Sequence, residues 1–261
     1  MTVNMIDTRI NGQWNLLLPE HRAARPEWQT GWERERLDSM CLNLWRGATV
    51  YDIGTEEGDI SALLAQWCGH GLDGTIDAGS LYLFEPNQRV WPNVKAIFEA
   101  NGLKPPAGAW TGFVGPEQRD AVIDSWRLDE DGWISDGWPA CADGPIIGDH
   151  GFLNICERPD VPVVSIDYLV DNDIALAPHV ITMDVEGAEL QVLRGAESVL
   201  DRHRPLVYVS VHEQFLREMY DSSASDVFAF FLRLGYRCDV IAMDHELHLV
   251  AWHPLGTEYV R

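Results

Sequence analysis

Basic residues are scarce in this chain. Lys and Arg number 19 against 41 Asp and Glu, for a formal net charge of −22. Binding nucleic acid through its phosphates needs clustered cations, so nucleic acid is set aside as a partner, and anionic membrane surfaces with it. The plain role of such acidity is solubility. No apolar run reaches the roughly 18 residues that mark a membrane helix. The opening MTVNMIDTRINGQW lacks the basic-then-apolar pattern of a signal peptide, so a cytoplasmic location is expected. Cysteine is sparse and odd in number: Cys41, Cys68, Cys141, Cys156 and Cys238 are scattered and form no CxxC pair. A zinc site or disulfide framework is therefore not expected, and the five read as small core residues. Internal repeats and low-complexity tracts are absent as well.

What is present is an α/β alternation. With 46% hydrophobic residues, the 261-residue chain suffices for one sizeable domain over 1–261. Residues 1–31 form an N-terminal arm, a hairpin turning at Asn11-Gly12 or an extended strap. Helical spacing begins at Trp32, with Leu37, Met40, Cys41, Leu44 and Trp45 on one face. The strand TVYDIG, the helix DISALLAQWC, the strand LYLFEPN and the helix QRVWPNVKAIFEANG follow, then a short strand in AWTGFVG. Residues 115–160, with Trp126, Trp133 and Trp138 among Gly, Pro and many acids, are too long for a routine connection and read as an insertion. It would wall an acceptor site, form a small separate core, or make an oligomer contact. Regular elements resume with VPVVSIDYLV, the strand HVITMDV, the helix GAELQVLRGAESVLDRH and the strand PLVYVSV. The helix SASDVFAFFLRLGY and the strand pair RCDVIAM and ELHLVAWH close the chain. Such alternation implies a mostly parallel sheet covered on both faces, with its ligand at the C-terminal strand ends.

Polar residues gather at those ends. Asp52-x-Gly54-x-x-x-Gly58 follows the first of these strands, and Glu85 closes the next. A strand-end acid there accepts hydrogen bonds from ribose hydroxyls. A dinucleotide loop needs G-x-G-x-x-G and a P-loop needs Gly-Lys-Ser/Thr, and neither occurs; Glu56 and Glu57 would instead repel a pyrophosphate. S-adenosylmethionine fits better, since it carries a ribose, no phosphate, and cationic sulfonium and ammonium groups that carboxylates attract. Asp184 and Glu186 share one side of an extended strand, with Glu186 and Glu189 at a helix start, where the dipole stabilises acids. His212 ends the strand PLVYVSV and suits a general base, whereas His245, His248 and His253 read as packed or exposed. Asp184, Glu186, His212 and Glu213 could gather Mg²⁺, but the spacing is permissive rather than diagnostic and no metal is called.

The run ITMDVEGAELQVLRGAESVL, together with VYDIGTEEG, LFEPN and VVSIDYL, resembles the FkbM family of S-adenosylmethionine-dependent methyltransferases. That family shows I-D-V-E-G-A-E-x-x-V-L-x-G-A after a strand, a D-I-G-A-N-x-G turn and an F-E-P strand end. The resemblance spans about residues 32–252, less the insertion, and departs from the pattern at Thr55-Glu56. It implies a Rossmann-like class I methyltransferase fold, a seven-stranded sheet with the last strand antiparallel, and O-methylation. It also implies a cofactor turn of Asp52, Gly54, Thr55 and Gly58, a ribose acid at Glu85, an adenine site near Thr111, Gly112 and Phe113, and Asp184 facing the methyl group. The expected catalytic residues are Asp184, Glu186 and His212. A hydroxyl of a small molecule or glycan is the expected acceptor, and a homo-oligomer is compatible. Two rivals stand beside it. One is a non-catalytic S-adenosylmethionine-binding or scaffold module with the same fold, and the other is an NAD-dependent oxidoreductase. DNA methylation is disfavoured by the charge and by the lack of an Asn/Asp-Pro-Pro-Tyr motif.

Overall fold

The computed structural model describes residues 4–71, 78–117, 131–133, 162–244 and 246–260. Strands β1 (Met5–Ile10) and β2 (Trp14–Pro19) pair antiparallel in register. The arm is thus a hairpin, and Asn11 and Gly12 both take positive φ in its turn. Short helices α1 (Glu20–Ala23) and α2 (Glu27–Thr30) lead to α3 (Arg34–Asn43). The alternation then runs β3 (Thr49–Ile53), α4 (Asp59–Cys68), β4 (Ser80–Phe84), α5 (Trp91–Ala100) and β5 (Gly108–Trp110).

The segment AWTGFVG, expected as one strand, is divided. Beyond β5, the two-residue β6 (Phe113–Val114) leaves the sheet and pairs parallel with β7 (Val163–Val164). Next come α6 (Ile166–Asp171), β8 (Val180–Asp184), α7 (Glu189–Arg194) and α8 (Glu197–His203). The single helix expected over α7 and α8 breaks at Gly195, where a Cβ would lie 2.2 Å from the Gly115 carbonyl oxygen. The last elements are β9 (Leu206–Val211), α9 (Glu213–Tyr220), α10 (Ala224–Arg233), β10 (Arg237–Met243) and β11 (Leu247–Trp252). Helix α10 starts with a Ser223–Asp226 capping box. The polar α9 carries little apolar signal and was not expected.

The main sheet has seven strands in the order β10-β11-β9-β8-β3-β4-β5. All neighbours are parallel except β11, which is antiparallel to both β9 and β10. This bears out the expected α/β, mostly parallel sheet with an antiparallel last strand. From β3 the chain winds outward through β4 and β5, then returns to β8 on the other side, so the order reverses between β3 and β8. Alternate residues of each strand enter two separate cores. Tyr51, Ile53, Val207 and Val209 join one; Val50, Leu206 and Tyr208 join the other, with Leu16 and Leu18 of the hairpin. Cover on both faces explains why these strands read as near-continuous apolar runs.

On the apolar helix face expected from Trp32 onward, Leu37 and Met40 are buried while Trp45 is exposed. Of the insertion, Trp133 is described: it is buried and meets Phe98 of α5 edge-on. Trp126 and Trp138 lie outside the described residues, as do Cys141, Cys156 and His245.

Candidate active site

A cavity of about 1180 Å³ opens at the C-terminal ends of the strands, beside the reversal between β3 and β8. Asp52, Gly54, Thr55, Glu85, Gly112, Phe113, Asp184, Glu186 and His212 all line it. Residues more than 150 positions apart are thus brought to one place. Gly58 and Thr111 are not on its wall. Gly58 instead caps α4 at φ +90°, against Val94, and Thr111 is wholly buried.

One wall of the cavity is built by the turn after β3. Gly54 has φ +87°, and a Cβ there would lie 1.8 Å from the Asp184 carbonyl oxygen. Only glycine lets β3 and β8 close so tightly at the reversal. Glu85 is buried, and its carboxylate accepts from two backbone N–H groups, Asn87 at 2.7 Å and Glu56 at 3.0 Å. Burial outweighs these bonds and raises its pKa to about 7. Asp52 accepts from the Ser61 hydroxyl at 2.5 Å and is likewise pushed by burial to about 6.

The departure at Thr55-Glu56 has a local explanation. Glu56 sits at φ +50°, and its side chain turns onto the N-terminal arm. Arg22 of α1 is 1% exposed and donates to both Glu56 oxygens, at 2.8 and 2.9 Å, and also to the buried Asp59 at the start of α4. Arg25 adds a 3.0 Å bond to Glu56. The turn is therefore clamped from outside by the hairpin arm, and the Glu56 charge is neutralised where it stands.

The opposite end of the cavity is dense in carboxylates. His212, at the end of β9, lies 2.8 Å by Nδ1 from Glu189. Its Nε2 lies 2.5 Å from Glu246, 3.2 Å from Glu186 and 3.5 Å from Asp184. Burial alone would lower its pKa, but these four acids raise it to about 11, so at neutral pH it is an imidazolium. The expected base is already protonated, because its strand end faces acids from β8, the start of α7 and the β10–β11 turn. Glu186, at φ +51° and 44% exposed in its side chain, is raised by burial to about 7. Glu189, expected as a helix-dipole acid, is fully buried and accepts from the Gly187 and His212 backbone N–H groups as well as the imidazole. Glu213 is occupied by Arg217 and the Ala224 N–H, away from the acid group.

Beneath this end lies a polar layer on one face of the sheet. Thr182, Asp184, Ser210 and His248 face α3, whose Arg36 donates to Thr182 at 2.9 Å and lies 3.4 Å from Asp184. Arg36 also pairs with the fully buried Glu33, whose pKa burial raises to about 8.

The model of the methyltransferase FkbM domain matches residues 140–238. The FkbM resemblance stands on that match. The matched FkbM segment holds Asp184, Glu186, Glu189 and His212, whereas Asp52 to Thr55 and Glu85 precede it and reach the same cavity through the fold. No curated protein matches the chain. Among solved structures, a methyltransferase FkbM from Methylobacillus flagellatus KT is 16% identical with a TM-score of 0.52; the match covers 89% of this chain and 52% of that one. The chain thus spans about half the length of that FkbM structure, and the likeness is one of fold. A SAM dependent methyltransferase from Aquifex aeolicus is 14% identical with a TM-score of 0.46, covering 89% of this chain and 95% of that one. The strand order and the likeness to the FkbM structure agree on a Rossmann-like α/β fold with a seven-stranded, mostly parallel sheet.

Arg22, Glu33, Arg36 and Glu246 were not singled out from the sequence. Polar residues inside apolar strands (Thr182, Ser210, His248) were the available signal for a polar layer. Nothing in the spacing of WERERLDS says which sheet face its charges meet. Among the described residues, no helix is long and apolar enough to cross a membrane.

Proposed function

We propose that the protein binds S-adenosylmethionine in this cavity and transfers its methyl group to a hydroxyl of a small molecule or glycan. The observation that carries the reading is the Gly54 turn, where β3 and β8 close so tightly that a side chain is excluded, flanked by Glu85 and Asp184 on one wall. Glu85, oriented by two backbone N–H groups, retains lone pairs for the two ribose hydroxyls. Phe113 and Gly112 offer a wall for the adenine. Four acids (Asp184, Glu186, Glu189, Glu246), beside a Glu33 that burial holds towards its neutral form, face two cations (Arg36 and His212) at the far end, a surplus that complements sulfonium and ammonium charge. The residues present therefore fit this cofactor. When bound, it supplies an electrophilic methyl carbon and a thioether leaving group.

In this reading Glu186 takes the acceptor hydroxyl proton, since its pKa lies near neutrality and its side chain is partly open to the cavity. His212 holds Glu186 and Asp184 in place as their common cation, instead of acting as the base. The non-catalytic rival drew on Glu56; with that carboxylate engaged by Arg22, no observation favours it.

Calorimetric titration of S-adenosylmethionine into the wild type and Glu85→Ala tests the reading. Micromolar binding, weakened at least about tenfold (about 1.4 kcal/mol) in the variant, is expected. No heat and no thermal stabilisation at millimolar ligand would sink it, and tighter binding of NAD would revive the oxidoreductase.

A further inference from the structure

We propose that Glu33, Glu246 and His248 form a binding site for a divalent first-row metal cation in the wall of the cavity. Glu33 stands at the N-terminus of α3, fully buried. Its Oε2 takes Arg36, but Oε1 is buried with no hydrogen-bond partner among the described residues. A buried carboxylate oxygen in that state calls for a cation or donor that the described residues do not supply. One oxygen of Glu33 converges with donor atoms of two other residues: those of Glu33, Glu246 and His248 all lie within 4.8 Å of one another. Metal–ligand bonds of about 2.0–2.2 Å close such a gap with side-chain adjustment of up to about 0.8 Å.

His248 is fully buried, and its Nδ1 lies 3.1 Å from the Ser210 hydroxyl. That contact fixes the ring as an outer partner fixes a ligating histidine, and turns Nε2 towards Glu246 Oε1 at 3.7 Å and Asp244 at 3.4 Å. Glu246 reaches His212 through its other oxygen, so it joins this site to the acid group around the methyl-transfer end. Arg36 does not occupy the gap, because its guanidinium is directed at Glu33 Oε2, Thr182 and Asp184. Two carboxylates and one imidazole form a mixed oxygen–nitrogen set that suits Mn²⁺, Fe²⁺ or Zn²⁺ over an all-oxygen Ca²⁺ site. The site needs no S-adenosylmethionine and stands whether or not the cofactor reading holds.

The test is a Mn²⁺ titration of the full chain, stripped with EDTA and without cofactor, followed by the paramagnetic resonance signal of free Mn²⁺. The wild type is expected to take up about one equivalent at micromolar metal. Glu33→Gln and His248→Asn should each weaken uptake at least about tenfold, and Glu186→Gln should leave it unchanged. A free Mn²⁺ signal up to millimolar metal would overturn the site. So would uptake that is lost in Glu186→Gln but kept in Glu33→Gln, which assigns the ion to the Asp184–Glu186–His212 group. If Glu33→Gln does not fold, Glu246→Gln takes its place, and Mn²⁺ must still raise the wild-type melting temperature, as a ligand of the native state does.

Discussion

Replacing Arg22 by methionine removes a cation that the fold has sealed between two acids. Arg22 is 1% exposed and the side chain of Asp59 2%, whereas the side chain of Glu56 is 52% exposed. The two partners therefore respond differently. Glu56 regains water and loses at most about 1 kcal/mol. Asp59 keeps a single bond, from the Ile60 N–H at 3.1 Å, and becomes a buried charge with the partly exposed Arg25 as its remaining nearby cation. Breaking one partner out of such a pair costs about 3–5 kcal/mol. For a chain of this size each kcal/mol lowers the melting temperature by about 2–4 °C, so a fall of about 6–20 °C is expected. Urea unfolding and calorimetry read the two quantities separately. The double variant Arg22→Met/Asp59→Leu should recover much of the loss, because it removes the stranded charge along with its partner. A single-variant cost below about 1 kcal/mol, or a double variant as unstable as the sum of the singles, would refute the clamp. The perturbation also reaches the cavity: the Glu56 N–H that Arg22 helps to place is one of the two that hold Glu85.

Two further outcomes follow from the acid group. Once an acceptor is in hand, the methyl-transfer rate should rise with pH through about 7 as Glu186 ionises; Glu186→Gln should flatten that limb and lower the rate about 10²–10⁴-fold, and an unchanged profile would remove Glu186 as the base. Stability should fall as pH rises from 6 to 9. His212, raised to about 11, stabilises the fold fully below about 6.5 and loses that contribution as pH climbs through 11; Glu85 and Glu186, raised to about 7, hold protons that the unfolded chain releases near 4.5. Each extra native proton gives about −1.4 kcal/mol per pH unit, so urea midpoints that stay flat or rise over that range would count against these placements.

The legible part of this molecule is what strand periodicity and local motifs encode. TVYDIG, LYLFEPN, HVITMDV and PLVYVSV are continuous apolar runs because both of their faces are covered, and each became a sheet strand. Gly54, Glu85 and Asp184 were legible as a site because each ends such a strand, and in a parallel sheet strand ends share one edge. Boundaries failed where a tertiary contact decided them. AWTGFVG divides because Phe113 and Val114 find a partner in Val163 and Val164, and the long helix after β8 breaks at Gly195 because the Gly115 backbone passes against it.

The roles within the site were harder to read, for an electrostatic reason. A lone strand-end histidine carries a pKa near 6.5 on paper, and its actual charge depends on how many carboxylates meet it from other elements. Four do, from β8, its turn, α7 and the β10–β11 turn. Two of those, Glu189 and Glu246, look in the sequence like an ordinary first-turn acid and an ordinary hairpin acid. The same holds for Glu56, which reads as a charge in the wrong place until Arg22, 34 residues earlier, is brought onto it. Chain position tells which edge of the sheet a residue reaches; the protonation state that decides base from cation is set by neighbours that only the folded chain brings together.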